Sequence, residues 1–159
     1  MLNEDYSEML QALVDEKVKF LLVGAYALAA HGYPRATMDI DIWVMPAPDN
    51  ADAVLRALLR FGAPLHNLTK SDLERKGTVF QIGVAPRRID IITAASGLQF
   101  EDAFRNSTAV DIEGIEVHIP SVADLIRNKR ASGRTKDLAD AEALEELDSS
   151  EQAGGTLRR

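Results

Sequence analysis

Residues 39 to 44 read Asp-Ile-Asp-Ile-Trp-Val, and this strict alternation constrains the fold more than any other stretch. Side chains alternate across a β-strand, so Asp39, Asp41 and Trp43 share one face and Ile40, Ile42 and Val44 the other. A wholly aliphatic face has to be buried, while a face with two carboxylates must meet water or a cation. The segment therefore belongs to a sheet packed on one side and polar at this place on the other. Carboxylates two residues apart repel when both are ionised, and strands are poor in Asp. Hard oxygen donors so placed suit Mg²⁺ or Mn²⁺, the former commonly shared between carboxylates and a substrate's phosphates.

The pattern around this strand implies a mixed α/β sheet, an α+β arrangement flanked by helices. Residues 4 to 16 carry Tyr6, Met9, Leu10, Leu13 and Val14 at helical spacing. Val18 to Val23 reads as a buried strand, and Gly24 separates it from an alanine-rich helix over Ala25 to His31. After Pro46 and Pro48, Asp49 or Asn50 is placed to cap a helix with the stripe Ala51, Val54, Leu55, Leu58 and Leu59, which Gly62 stops. Residues 63 to 77 are ambiguous beyond a helical turn at Ser71 to Arg75. Val79 to Val84 and Arg88 to Thr93 read as strands joined by Ala85-Pro86-Arg87, and a short helix follows at Phe100 to Arg105. Ala109 to Ile112 and Ile115 to Ile119 flank Glu113-Gly114 as a hairpin. Pro120 and Ser121, with Asp124 three residues on, open the first of two C-terminal helices; Gly133 divides it from the second, Thr135 to Leu147. We expect one domain over residues 1–148 and a disordered polar tail over 149–159.

Composition limits the function classes. With 159 residues and a net charge of -7, broad binding to nucleic acid through phosphate neutralisation is disfavoured, although Lys129, Arg130, Arg134 and Lys136 cluster locally. There is no cysteine, so disulfides and thiolate metal sites are excluded. No apolar run approaches a membrane span, and the acidic start MLNEDYSEML resembles no leader, which makes the cytoplasm the expected compartment. His31, His66 and His118 lack ligand spacing and are expected to be structural, and Trp43 to fill space beside the sheet.

The stretch VGAYALAAHGYPRATMDIDIWV, residues 23 to 44, resembles the nucleotidyltransferase superfamily of the DNA polymerase β type, in its minimal bacterial branch. That motif is an apolar residue, Gly-Gly or Gly-Ser, a helix, then Asp-apolar-Asp on a strand. Here it is matched by Gly24-Ala25, residues 26 to 38, and Asp39-Ile40-Asp41. The wording Arg35-x-Thr37-x-Asp39-x-Asp41 is similar to AbiEii-type toxin nucleotidyltransferases, as is Gly133-Arg134-Thr135-Lys136-Asp137-Leu138-x-Asp140. Arg88-Ile89-Asp90-Ile91-Ile92 supplies the third carboxylate that such proteins take from a later strand.

The resemblance implies metal-dependent transfer of a nucleoside monophosphate from a nucleoside triphosphate to an acceptor, either RNA, protein or a small molecule. Asp39, Asp41 and Asp90 would be both metal ligands and catalytic residues, and Gly24, Ala25, Arg35 and Thr37 would meet the nucleotide. Arg88, Lys129, Arg134 and Lys136 are candidate substrate contacts, although Lys129, Arg134, Lys136 and Asp137 also read simply as solvated helix ends. An antitoxin or a further copy is the implied protein partner. Ala25 stands where the family has glycine or serine, leaving a backbone N–H but no hydroxyl. A nucleotide- or partner-binding protein of the same fold without transfer activity is the alternative.

Overall fold

The computed structural model describes residues 2–33, 39–84 and 87–157, with side chains described up to residue 150. Helix α1 (Glu4–Asp15) starts where the Asn3 side chain accepts the Tyr6 N–H, and it buries Tyr6, Met9, Leu10 and Leu13 almost completely. Strand β1 (Phe20–Val23) follows, then helix α2 (Gly24–Ala30) and strand β2 (Ile40–Val44). Helix α3 (Pro48–Phe61) lays Ala51, Val54 and Leu58 on the core. Each large aliphatic side chain so buried contributes about 2 kcal/mol.

Asn50 does not cap α3. The helix begins at Pro48, a residue suited to a first turn because its missing N–H is not needed there. Asn50 lies inside the helix and is buried. It accepts the Lys19 N–H at 2.8 Å and donates to the carbonyls of Lys19 (3.0 Å) and Met45 (2.9 Å), tying α3 to both strands. The ambiguous stretch contains α4 (Lys70–Glu74), opened by a reciprocal capping box between Thr69 and Asp72.

Strands β3 (Val79–Ile82) and β4 (Ile89–Ile92) complete a four-stranded mixed sheet in the order β1-β2-β4-β3. The central β2–β4 pair is parallel and the other two pairs are antiparallel. Helix α5 (Phe100–Arg105) precedes a separate hairpin, β5 (Thr108–Ile112) and β6 (Ile115–Ile119). Glu113 and Gly114 both have positive φ at its turn, as a type I′ connection requires. Strand β6 packs on β1 and α1.

Helices α6 (Val122–Ser132) and α7 (Thr135–Leu157) pack against each other. Ser121 caps α6 by accepting the Asp124 N–H, but the Asp124 carboxylate takes Arg127 instead of completing a box. Helix α7 runs ten residues beyond Leu147, where the sequence pattern places its end, to Leu157. Most residues from Leu147 onward are compatible with a helix, and Gly154-Gly155 does not break it. Among the described residues, no helix is long and apolar enough to cross a membrane.

The alternation of β2 divides the interior as its sequence requires. Ile40, Ile42 and Val44 join Phe20, Leu22, Ile89 and Ile91 in the main core, against α1 and α3. On the opposite face Trp43 joins Leu21, Val23, Phe100 and Ala103 in a smaller cluster, edge-on to Phe100 at 5.2 Å. Trp43 is thus a packing residue. His31 lies 2.7 Å from the Pro120 carbonyl through Nε2, and His118 lies 3.2 Å from Ser107 Oγ through Nδ1, both structural contacts.

Candidate active site

The face that carries Trp43 becomes polar one residue pair toward the start of β2. Asp41 stands in register with Asp90 across the parallel ladder, flanked by Val23 on one side and Gln81 on the other. Adjacent strands lie about 4.8 Å apart, so the two carboxylates project side by side. Asp39 precedes β2 by one residue, as Arg88 precedes β4. The Arg88 N–H donates to Asp39 Oδ1 at 3.0 Å. Its guanidinium donates to both oxygens of Asp90, at 2.8 and 3.2 Å, and reaches Asp39 Oδ2 at 3.5 Å.

Gly24 shows how closely the next element approaches. It opens α2 with φ +67°, and a Cβ built on it would lie 2.3 Å from Asp41 Oδ2. Only glycine tolerates both the backbone conformation and the contact. Burial pushes the Asp41 carboxyl up to about 6, reinforced by Asp90 and Asp39 and opposed by Arg88. The Arg88 guanidinium is correspondingly raised, first by its bonds to Asp90.

A second wall comes from the C-terminal helices. Lys129 of α6 places Nζ 3.4 Å from both Asp137 and Asp140 of α7, with only 15% of its side chain exposed. Asp137 also accepts from Ser132 Oγ (2.6 Å) and Arg134 Nε (2.7 Å). Burial alone would raise its pKa; Ser132, Arg134 and Lys129 outweigh that and bring it down to about 2. Asp137 and Asp140 are 2% and 3% exposed, so the expectation of solvated helix ends fails for Lys129 and Asp137. It holds for Arg134, whose side chain is 79% exposed.

These walls enclose a cavity of about 420 Å³ lined by Gly24, Ala25, Leu28, Asp39, Asp41, Arg88, Asp90, Lys129, Arg134, Lys136 and Asp137. Nine residues singled out from the sequence thus meet in one place: Gly24, Ala25, Asp39, Asp41, Asp90, Arg88, Lys129, Arg134 and Lys136. Arg35 and Thr37 lie outside the described residues. Four carboxylates face four cationic side chains. Three of the carboxylates stand on or next to the sheet and Asp137 on α7, while α6, α7 and the link between them provide three of the four cations, an arrangement that suits a cation bridged to an anionic ligand.

The burial of Asp137 and Asp140 is not evident from their charge. Their spacing with Ala141 and Leu144 on one helix face, all buried, carried the signal. In the sequence Tyr6 reads only as part of an apolar helical stripe. Its hydroxyl donates to the Arg88 carbonyl at 3.3 Å. Burial, with Tyr26 and Asp39, raises its pKa to about 12, so it remains a donor.

The donor chemistry suits a hard divalent cation: three carboxylates on or next to two adjacent strands, that of Asp41 held at a raised pKa first by burial and then by the other two. Among the described residues, no group of three or more His, Cys, Asp or Glu side chains is placed to hold a metal ion as it stands. In this conformation Arg88 supplies the positive charge instead.

Solved structures share this architecture. A candidate nucleotidyltransferase from Thermotoga maritima (TM1012) superposes with a TM-score of 0.56 at 16% identity, over 94% of this chain and 96% of that one. The antibiotic-resistance factor ANT(2'')-Ia superposes with a TM-score of 0.52 at 14% identity, over 96% and 92% of the two chains. At such identities the likeness establishes the fold. No curated protein sequence matches the chain. The profile of a family described as nucleotidyltransferases of unknown function (DUF6036) matches residues 1–149, nearly the whole chain, which therefore belongs to that nucleotidyltransferase family.

Proposed function

We propose that the chain moves a nucleoside monophosphate from a nucleoside triphosphate to an acceptor hydroxyl, and that Asp39, Asp41 and Asp90 hold the Mg²⁺ or Mn²⁺ this needs. The observation that carries the reading is the in-register Asp41–Asp90 pair, with Asp39 beside it, facing Lys129 and Lys136 across one cavity. A divalent ion bound there supplies charge neutralisation at the phosphates and lowers the barrier to nucleophilic attack.

The chain's own residues do the rest. Gly24 lets the backbone come close to Asp41, and the Ala25 N–H is available to a phosphate oxygen. Lys129 is fixed by Asp137 and Asp140, so its charge is preorganised toward the cavity and needs no reorganisation when triphosphate enters. Arg134 and Lys136 add positive charge along the same wall. With a cation held by Asp90, the Arg88 guanidinium that now bonds Asp90 would be free to meet a phosphate oxygen. Asp90 accepts the proton of the acceptor hydroxyl as its oxygen attacks the α-phosphorus. The bond from that phosphorus to the α,β-bridging oxygen breaks, and pyrophosphate leaves. Arg35 and Thr37 belong to the proposed nucleotide contacts through the sequence motif alone.

The test is release of pyrophosphate from α-labelled triphosphates with the label retained on an acceptor, screened over RNA, protein and small-molecule hydroxyl compounds. Label on the acceptor supports transfer; free nucleoside monophosphate in its place indicates hydrolysis. Ala25 favours one second reading, a protein that binds nucleotide without turnover. Tight triphosphate binding with no product on any acceptor would establish it. The AbiEii-type wording extends the proposal to a toxin-like role in the cytoplasm beside an antitoxin. Growth arrest on expression, abolished by Asp41→Asn, would support that role.

A further inference from the structure

Asp39 and Arg88 each lie one residue outside a strand, where the β2–β4 ladder gives way to connecting chain. A site assembled at strand ends loses the ladder's rigidity, so something else must fix it. Arg88 is central there, because its N–H holds Asp39 and its guanidinium holds both Asp90 and Asp39. Its peptide carbonyl is held as well. It accepts the N–H of Ile40, the residue after Asp39, at 3.0 Å, and the hydroxyl of Tyr6 at 3.3 Å. Tyr6 is 1% exposed, its ring set edge-on to Tyr26 at 6.0 Å, on a helix that begins at a side-chain cap. A buried hydroxyl on a rigid helix thus extends the hydrogen-bonded ladder past its end, beneath the carboxylates.

We propose that Tyr6 is a positioning residue of the site: through the Arg88 carbonyl, its hydroxyl fixes the Arg88–Ile40 junction and so the placement of Asp39 and Asp90. This rests on the reading of those carboxylates as the metal and nucleotide site, yet its structural half is testable alone. Tyr6 does not line the cavity. Removing only the hydroxyl leaves the ring and the core packing in place, so the effect is local loosening, not unfolding. Outer partners of metal-site side chains typically alter affinity by about tenfold or more when lost.

The experiment compares wild type with Tyr6→Phe in two measurements. Amide hydrogen exchange is followed at Arg88 and Ile40, with Val54 and Leu58 of α3 as internal references, and ATP affinity is measured by calorimetry in Mn²⁺. The expected result is exchange at Arg88 and Ile40 accelerated by about tenfold with the α3 amides unchanged, and ATP affinity lower by about tenfold at an almost unchanged Tm. Unchanged exchange at Arg88 and Ile40 overturns the proposal, as does acceleration spread equally over α3. Unchanged ATP affinity despite local loosening overturns the link to the site. Local loosening in a wild-type background that binds no ATP leaves the positioning by Tyr6 standing and refutes the nucleotide-site reading instead.

Discussion

Asp41→Asn should make the protein more stable, and by an amount that depends on pH. The Asp41 carboxyl is raised from 3.8 to about 6 by burial and by Asp90 and Asp39. An acid whose folded value lies above its unfolded value is harder to ionise in the native state. The Asp41 contribution to stability is therefore most favourable below about pH 4, falls as pH rises through the interval from 4 to 6, and stays lower above it. Each unit corresponds to 1.36 kcal/mol, so a shift of about two units costs roughly 3 kcal/mol at pH 8, an upper bound. Partial solvation and relaxation of neighbouring groups leave about 1.5 kcal/mol as the working figure. Asparagine keeps the shape, removes the charge and can donate an amide hydrogen to Asp90. For a chain of this length, 1 kcal/mol moves Tm by about 2–4 °C, which puts the variant about 3–6 °C above wild type at pH 8. Calorimetric melts in EDTA from pH 4 to pH 8 measure this directly. A variant no more stable than wild type at pH 8, or a gain of equal size at pH 4, would refute the reasoning.

Three further expectations rest on separate contacts. Gly24→Ala forces a Cβ to 2.3 Å from Asp41 Oδ2 at φ +67° and should cost about 2 kcal/mol or more. Melts of Gly24→Ala, Asp41→Ala and the double variant check the cause, since removing the clashing carboxylate should make the pair cost less than the sum. Asp137→Ala strips Lys129, Arg134 and Ser132 of a shared acceptor and should cost about 3 kcal/mol in urea unfolding at pH 7. Because the folded Asp137 pKa is depressed to about 2, its stabilisation is complete above about pH 4 and lost on acidification toward 2; a wild-type advantage constant over that range would contradict this. Asn50→Asp keeps the acceptor for Lys19 N–H but loses both donated bonds and should lower stability by about 2 kcal/mol at pH 7 in thermal melts.

What sequence could reveal here followed local periodicity. The alternation from Asp39 to Val44 separated the two faces of the sheet because a strand's side-chain period is two, and Gly24 announced a strand-to-helix junction because few residues break both elements. Asp90 was legible as a candidate, but its register with Asp41 depends on the parallel pairing of strands almost fifty residues apart. Periodicity contains no term for that. Lys129 and Asp137 resembled solvated charges because charge is a property of the residue, whereas burial depends on how α6 folds back on α7. Asn50 has cap chemistry and stands near a helix start, yet its partners lie just before β1 and just after β2. Tyr6 looked apolar because a phenol is mostly ring, and only the fold brings its hydroxyl to Arg88.

The central claim is that the carboxylates on β2 and β4 and the cations of α6 and α7 form one metal-dependent triphosphate site. Calorimetric titration with each nucleoside triphosphate, in Mg²⁺ or Mn²⁺ and again in EDTA, tests it most directly when run on wild type and on an Asp39→Asn/Asp41→Asn variant. The account predicts saturable binding by wild type that disappears in EDTA and in the folded variant. Failure of wild type to bind any triphosphate, or binding that survives in the variant, would contradict it.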